Sequence, residues 1–193
     1  MKICVFGAAS NLIDPSYIAS IEELGRLIAK KGHSLVFGAG GHGLMGAVAR
    51  GVKSEGGYIE GVIPHFFREE NIEAIFEECD ELIFTDTMAQ RKTKMEDLAD
   101  AFIIVPGGMG TFEEFFEVLT LKQLARHTKP IAIYDVNDYY VHLESFLELS
   151  MKEKFIRENC KDLYFYSDDA EEIFDYLEGD DTDSLDVHDL KLG

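Results

Sequence analysis

Residues 101–117 read AFIIVPGGMGTFEEFFE. An apolar run, Ala101 to Val105, ends at Pro106. A glycine cluster follows, and a helical pattern then opens with the acidic pair Glu113 and Glu114. The stretch spells a buried strand, a tight turn that lets a ligand approach the backbone, and a helix N-terminus. Free amide N–H groups and the helix dipole at such a junction favour an anion. A carboxylate one turn further on would stand close to whatever the loop holds. A phosphate seat beside a carboxylate points to chemistry on a phosphorylated small molecule.

Outward from this stretch the same alternation repeats. Strands are expected at 3–6, 34–37, 58–63, 81–85, 101–105, 130–134 and 163–166. Asp14 and Pro15 signal a helix start, and Ile18, Ile21, Leu24, Leu27 and Ile28 recur at helical spacing up to Gly32. Further helices are expected at 47–53, from the cap Asp86 through Met95, at 138–154 and at 170–177; residues 66–80 read as loop and short helix. Strands alternating with helices imply an α/β fold, a doubly wound parallel sheet with helices on both faces. Ligands then lie at the carboxyl ends of the strands, where three glycine-bearing loops converge.

A chain of 193 residues suits one domain, expected over residues 1–178. The stretch EGDDTDSLD from Glu178 is acidic and poor in large apolar groups, so a loose tail is expected over 179–193. The net charge of −19 argues against general affinity for nucleic acid or anionic membrane. Cys4, Cys79 and Cys160 are far apart and form no C-x-x-C or zinc spacing; free thiols in a reducing cytoplasm are expected, and no metal. The start MKICVFGAAS lacks a signal-peptide pattern, and no apolar run reaches the about 18 residues of a membrane span.

Gly41-x-Gly43-x-x-Gly46 follows a strand and opens a helix, as a phosphate- or ribose-contacting loop does. Its glycines would serve equally to permit a tight turn and close helix–sheet packing. His42 within it is the one histidine placed near a ligand. Pro106 to Thr111 lacks the lysine of a triphosphate-binding loop, and the Thr111 hydroxyl can either cap its helix or bond a phosphate. Glu113 is explained by the helix dipole alone. Glu114 is less easily explained so, because a carboxylate beside phosphate is repelled unless it acts on the sugar carbon or on water. Met88, Arg91, Lys92 and Met95 fall on one helical face, a solvated basic patch over buried methionines or a source of positive charge for a phosphate or a leaving group.

The residues also resemble a family. Pro106-Gly107-Gly108-Met109-Gly110-Thr111-Phe112-Glu113-Glu114 matches the P-G-G-x-G-T-x-x-E motif of the LONELY GUY (LOG) family, cytokinin riboside 5′-monophosphate phosphoribohydrolases often labelled lysine decarboxylases. The likeness extends to Gly43-Leu44-Met45-Gly46, to Gly61-Val62-Ile63-Pro64 and to Met88-x-x-Arg91-Lys92-x-x-Met95, and spans roughly residues 1 to 175. It implies a Rossmann-like homodimer, without cofactor, that hydrolyses the N-glycosidic bond of AMP-type nucleotides to free base and ribose 5-phosphate. By the same resemblance Arg91 and Glu114 are catalytic. Gly107, Gly108, Gly110 and Thr111 hold phosphate, and Met88, Lys92, Gly43 and Ser10 contact substrate. Glu114 would serve as nucleophile or as general base. The first loop departs from the family's G-S-S-x-G: Gly7-Ala8-Ala9-Ser10-Asn11 lacks a hydroxyl and a glycine. A lysine decarboxylase would need a Schiff-base lysine, for which Lys92 beside Arg91 is poorly suited. The other readings are a non-catalytic nucleotide- or molybdenum-cofactor-binding protein of the same fold, and an NAD-dependent oxidoreductase.

Overall fold

The apolar runs become strands because each is covered on both faces. In chain order they are β1 (Lys2–Phe6), β2 (Ser34–Phe37), β3 (Ile59–Pro64), β4 (Glu81–Thr85), β5 (Ala101–Ile104), β6 (Ile131–Tyr134) and β7 (Phe165–Ser167). The helices are α1 (Pro15–Lys30), α2 (Gly43–Ser54), α3 (His65–Glu69), α4 (Met88–Leu98), α5 (Met109–Gln123), α6 (Val141–Lys152) and α7 (Ala170–Glu178). The computed structural model describes residues 1–179, so the expected tail lies, past Gly179, outside the described residues.

The strands form one sheet in the order β4-β3-β2-β1-β5-β6-β7, and every pairing is parallel. Alternate residues of each strand feed different cores, as a period of two requires. Ile3, Val5, Leu35, Phe37, Ala101 and Ile103 pack with α1, α2 and α7. Cys4, Phe6, Val36, Phe102 and Ile104 pack with Met95 of α4, Phe115 and Val118 of α5, and Leu147 of α6. Strands buried on both sides need near-continuous apolar sequence, which is what these runs supply. Truncating a fully buried ring such as Phe102 or Phe115 to alanine would cost about 3–5 kcal/mol. Among the described residues no helix is long and apolar enough to cross a membrane.

Chain order reverses across β1. The chain winds outward through β2, β3 and β4 on one side, then returns to β5 on the other. The loops after β1 and β5 therefore part at the carboxyl edge and leave a crevice between them.

Several boundaries differ from expectation for identifiable reasons. The α4 cap is Thr87, not Asp86: its Oγ1 accepts from Gln90 N–H at 3.1 Å, while Gln90 Oε1 reaches back to Asp86 N–H at 2.8 Å. Thr87 thus caps the Gln90 amide, and Gln90 returns a bond to the residue before the cap rather than to the cap amide of a capping box. Helix α2 begins at Gly43 rather than Ala47, inside the glycine loop. Helix α5 begins at Met109, so Glu113 and Glu114 occupy its second turn rather than its opening. The helix expected from Asp138 starts at Val141, because Asn137 and Asp138 adopt left-handed backbone, each with φ 56°. The last strand runs 165–167, not 163–166, since residues 158–163 wind into a short 3₁₀ turn.

Candidate active site

The crevice opens into a cavity of about 340 Å³, lined at its centre by Arg91, Glu114, Thr111, Gly108 and Gly110. That volume is in the range of small-molecule sites. On the β5 side the Gly108 backbone begins α5 with no side-chain cap. The ladder starts with Phe112 N–H donating to the Gly108 carbonyl at 2.9 Å, which leaves the amides of Met109, Gly110 and Thr111 ahead of it. Thr111 is 4% exposed and its side chain lies over Gly107.

The second glycine loop is built differently. The Ala8 carbonyl accepts from Leu44 N–H at 2.8 Å and from Met45 N–H at 3.3 Å, and Asn11 Oδ1 accepts from Gly43 N–H at 3.3 Å. The first loop therefore plugs the α2 N-terminus. Gly43 has φ 56°, and a Cβ there would stand 2.7 Å from the Ala9 backbone carbon. Gly43 and His42 line a separate outer cleft with Arg26 and Arg50. The glycines of this loop allow backbone to pack on backbone, and Asn11, standing where the family has glycine, supplies one of the caps.

Arg91 rises from the first turn of α4. Its Nε donates to the Val62 carbonyl at 3.2 Å, and its Nη1 lies 3.4 Å from Glu114 Oε1. Both side chains are nearly buried, at 13% and 11% exposure. The guanidinium rests on Gly38, where a Cβ would sit 1.7 Å from Nη2. Burial pushes the Glu114 carboxyl up to about 7, against the opposing pull of Arg91. A carboxyl poised near neutrality suits proton transfer. Cys4, beneath the site, is held as the thiol by burial.

The remaining residues singled out in the sequence divide as follows. Ser10 lines the cavity, and its Oγ accepts from Leu12 N–H at 3.2 Å. Gly107 lines a smaller adjoining cleft with Ser10, Gly108 and Tyr139. Lys92 does not line the cavity: its Nζ pairs with Glu113 and, at 2.6 Å, with Glu117 Oε2. Glu113 is thus an ion-pair partner in the second turn, not a dipole-stabilising residue of the first. Met88 is 37% exposed and does not line the cavity, whereas Met95 does. Gly38, Phe67 and Glu73 also line it and were not anticipated. Gly38 carried one legible signal, a glycine closing a strand. Glu73 sits in an irregular acidic segment whose sequence has no periodicity to single it out.

The family model described as "Possible lysine decarboxylase" matches residues 45–177. A cytokinin riboside 5′-monophosphate phosphoribohydrolase of Arabidopsis thaliana is 37% identical over 177 residues, 92% of this chain and 81% of that protein. The rice enzyme of the same name is 35% identical over 92% of this chain and 72% of its own length. The chain belongs to the LOG family. Among solved structures, the molybdenum cofactor binding protein of Rippkaea orientalis superposes with a TM-score of 0.69 at 21% identity, covering 92% of this chain and 94% of that one. A molybdenum cofactor carrier protein of Chlamydomonas reinhardtii gives a TM-score of 0.67 at 21% identity over 92% of this chain and 94% of that one. At that identity the likeness is one of fold. This LOG-family chain carries the Rossmann-like architecture with its crevice at the β1/β5 switch point.

Proposed function

We propose that this chain hydrolyses the N-glycosidic bond of AMP-type nucleoside 5′-monophosphates, cytokinin-type nucleotides included, releasing free base and ribose 5-phosphate. The observation that carries the reading is the buried Arg91–Glu114 pair beside the uncapped start of α5. The 5′-phosphate sits on the amides of residues 109–111, with the Thr111 hydroxyl beside it and the helix dipole behind it. The sugar then lies along α5, and its anomeric carbon faces Glu114. As the C1′–N bond lengthens, positive charge grows on the sugar, and a carboxylate beside it stabilises that charge. Glu114 takes the proton of the water that attacks C1′. Arg91 holds the carboxylate in place and neutralises phosphate charge.

Family relatives named as phosphoribohydrolases support this reading. No lysine lines the cavity among the described residues, so the decarboxylase description of the family finds no Schiff-base candidate there. Binding without turnover is disfavoured, because a buried carboxylate near a phosphate seat weakens binding and gains nothing unless it does chemistry.

The test is incubation of purified protein with AMP and chromatographic assay of adenine. Release by the wild type and its loss in Glu114→Gln are expected. Wild-type rates in Glu114→Gln would remove the assignment.

Two coarser features complete the reading. The chain works as a homodimer. Met109, 84% exposed, and Phe116, 38% exposed, share one face of α5 and would be covered by a second copy. Phe116→Asp should shift a dimer to monomer in light scattering. Three free cysteines fit a cytoplasmic, reducing setting.

A further inference from the structure

A second carboxyl group faces the same cavity and has no role in the account above. Glu73 belongs to the irregular segment between α3 and β4. That segment is stitched to the loop after β2 on both sides of Gly40. Gly41 N–H donates to the Ala74 carbonyl at 2.7 Å, and Phe76 N–H to the Ala39 carbonyl at 2.8 Å. The backbone carrying Glu73 is therefore fixed, although it is neither strand nor helix. The side chain lies over Gly40, with Oε1 3.3 Å from where a Cβ would stand. It is half-buried and shares the cavity with Arg91, Glu114, Phe67 and Met45. Among the described residues nothing donates a hydrogen bond to it and no cation pairs with it.

Its place in the cavity suggests what it meets. The phosphate seat follows β5, and Glu73 stands over the loop after β2. These strands are separated by β1, so the two ends of the cavity are about 10 Å apart, two strand spacings. Arg91 and Glu114 lie between. That span matches the reach of a nucleoside monophosphate from phosphate to base. With phosphate at one end and sugar against Glu114, the base falls at the Glu73 end, against the apolar walls of Phe67 and Met45.

We propose that the Glu73 carboxyl group reads the N6–H and N7 edge of a 6-aminopurine and gives its proton to N7 as the base departs. This rests on the phosphoribohydrolase reading. A neutral carboxyl offers one acceptor and one donor side by side, the same pair that an Asn or Gln amide presents to that edge of adenine. Burial raises its proton affinity, against the opposing pull of Arg91. The step balances. The C1′–N9 electron pair passes into the purine ring, and the Glu73 proton goes to N7. Water oxygen bonds C1′ and its proton goes to Glu114; exchange with solvent restores both carboxyl groups.

The experiment compares two substrates in full-length protein: AMP, and 4-nitrophenyl ribose 5-phosphate, whose leaving group needs no proton. Glu73→Gln keeps a donor and an acceptor but has no acidic proton. It should lower kcat for AMP at least tenfold with KM within about threefold, and cleave the nitrophenyl substrate within about twofold of wild type. Glu73→Ala should in addition raise KM for AMP, and should abolish any preference for AMP over IMP, whose 6-oxo group cannot donate. Glu114→Gln should lose both substrates. Wild-type kcat on AMP in Glu73→Gln overturns the inference. So does equal loss on both substrates, which would place Glu73 at the sugar or in the fold. If the wild type cleaves neither substrate, the phosphoribohydrolase reading itself fails.

Discussion

At the residue scale the site depends on one close approach. Arg91 reaches Glu114 across the end of β2 only because residue 38 has no side chain. Gly38→Ala should therefore displace the guanidinium without unfolding the sheet. The expected result is a fall in kcat/KM for AMP of at least tenfold, about 1.4 kcal/mol, with near-wild-type circular dichroism. Arg91→Ala should cost at least as much, and unchanged kinetics would remove Arg91 from the mechanism. The Glu114 carboxyl titrates near 7 because burial outweighs the attraction of Arg91. Its ionised form is the base, so kcat/KM for the nitrophenyl substrate, whose leaving group needs no proton, should climb as pH rises through about 7. A profile flat from pH 5 to 8 would contradict the base role. Arg91 and Glu114 were legible as a pair in the sequence. Gly38 as the seat of Arg91 was not, since nothing local links a glycine after β2 to an arginine on α4.

At the element scale the two glycine loops part company. Both follow a strand and open a helix, and in sequence they look equivalent. The difference lies in what reaches the amides. The α2 N-terminus is closed by the Ala8 carbonyl and Asn11, while α5 begins without a side-chain cap. The α5 loop is held from behind. Tyr139 Oη donates to the Gly107 carbonyl at 2.6 Å, and Tyr140 Oη to the Val105 carbonyl at 2.8 Å. In a trans peptide C=O and N–H point opposite ways, so anchoring the Gly107 carbonyl turns the Gly108 N–H away from Tyr139. Tyr139→Phe should loosen this amide and raise KM for AMP by roughly two- to tenfold, the worth of one hydrogen bond of about 0.5–1.5 kcal/mol. An unaltered KM would show that the loop needs no brace.

At the scale of the whole molecule, acidity sets the pH response. The net charge is −19, and carboxyl groups are crowded between α4 and α5. Burial, then the neighbouring Glu117, pushes the Glu96 carboxyl up to about 7. The folded state thus holds this proton more tightly than the unfolded chain does. Stability from that proton is complete below the unfolded value of about 4.3 and is lost as pH rises through about 7. Glu114 acts in the same direction. The urea midpoint should fall between pH 5 and pH 8. Glu96→Gln, outside the cavity, should shrink that fall while leaving adenine release within about twofold. An equally steep fall in the variant would mean that Glu96 titrates normally.

What the residues determine by themselves is local. Apolar runs such as AFIIV, punctuated by Pro and Gly and alternating with helical spacing, demand a parallel sheet covered on both faces, because period and punctuation act over a few residues. The α5 loop and its glutamate could be found the same way. Tertiary structure alone decided which helix start stays open, because the Ala8 carbonyl that closes α2 comes from a strand end more than thirty residues earlier. It also brought Glu73 to the cavity through backbone bonds to residues 39 and 41, and tied Lys92 into ion pairs with α5. Hydrogen-bond partners and ion pairs between distant segments are settled by packing, and no local pattern encodes them.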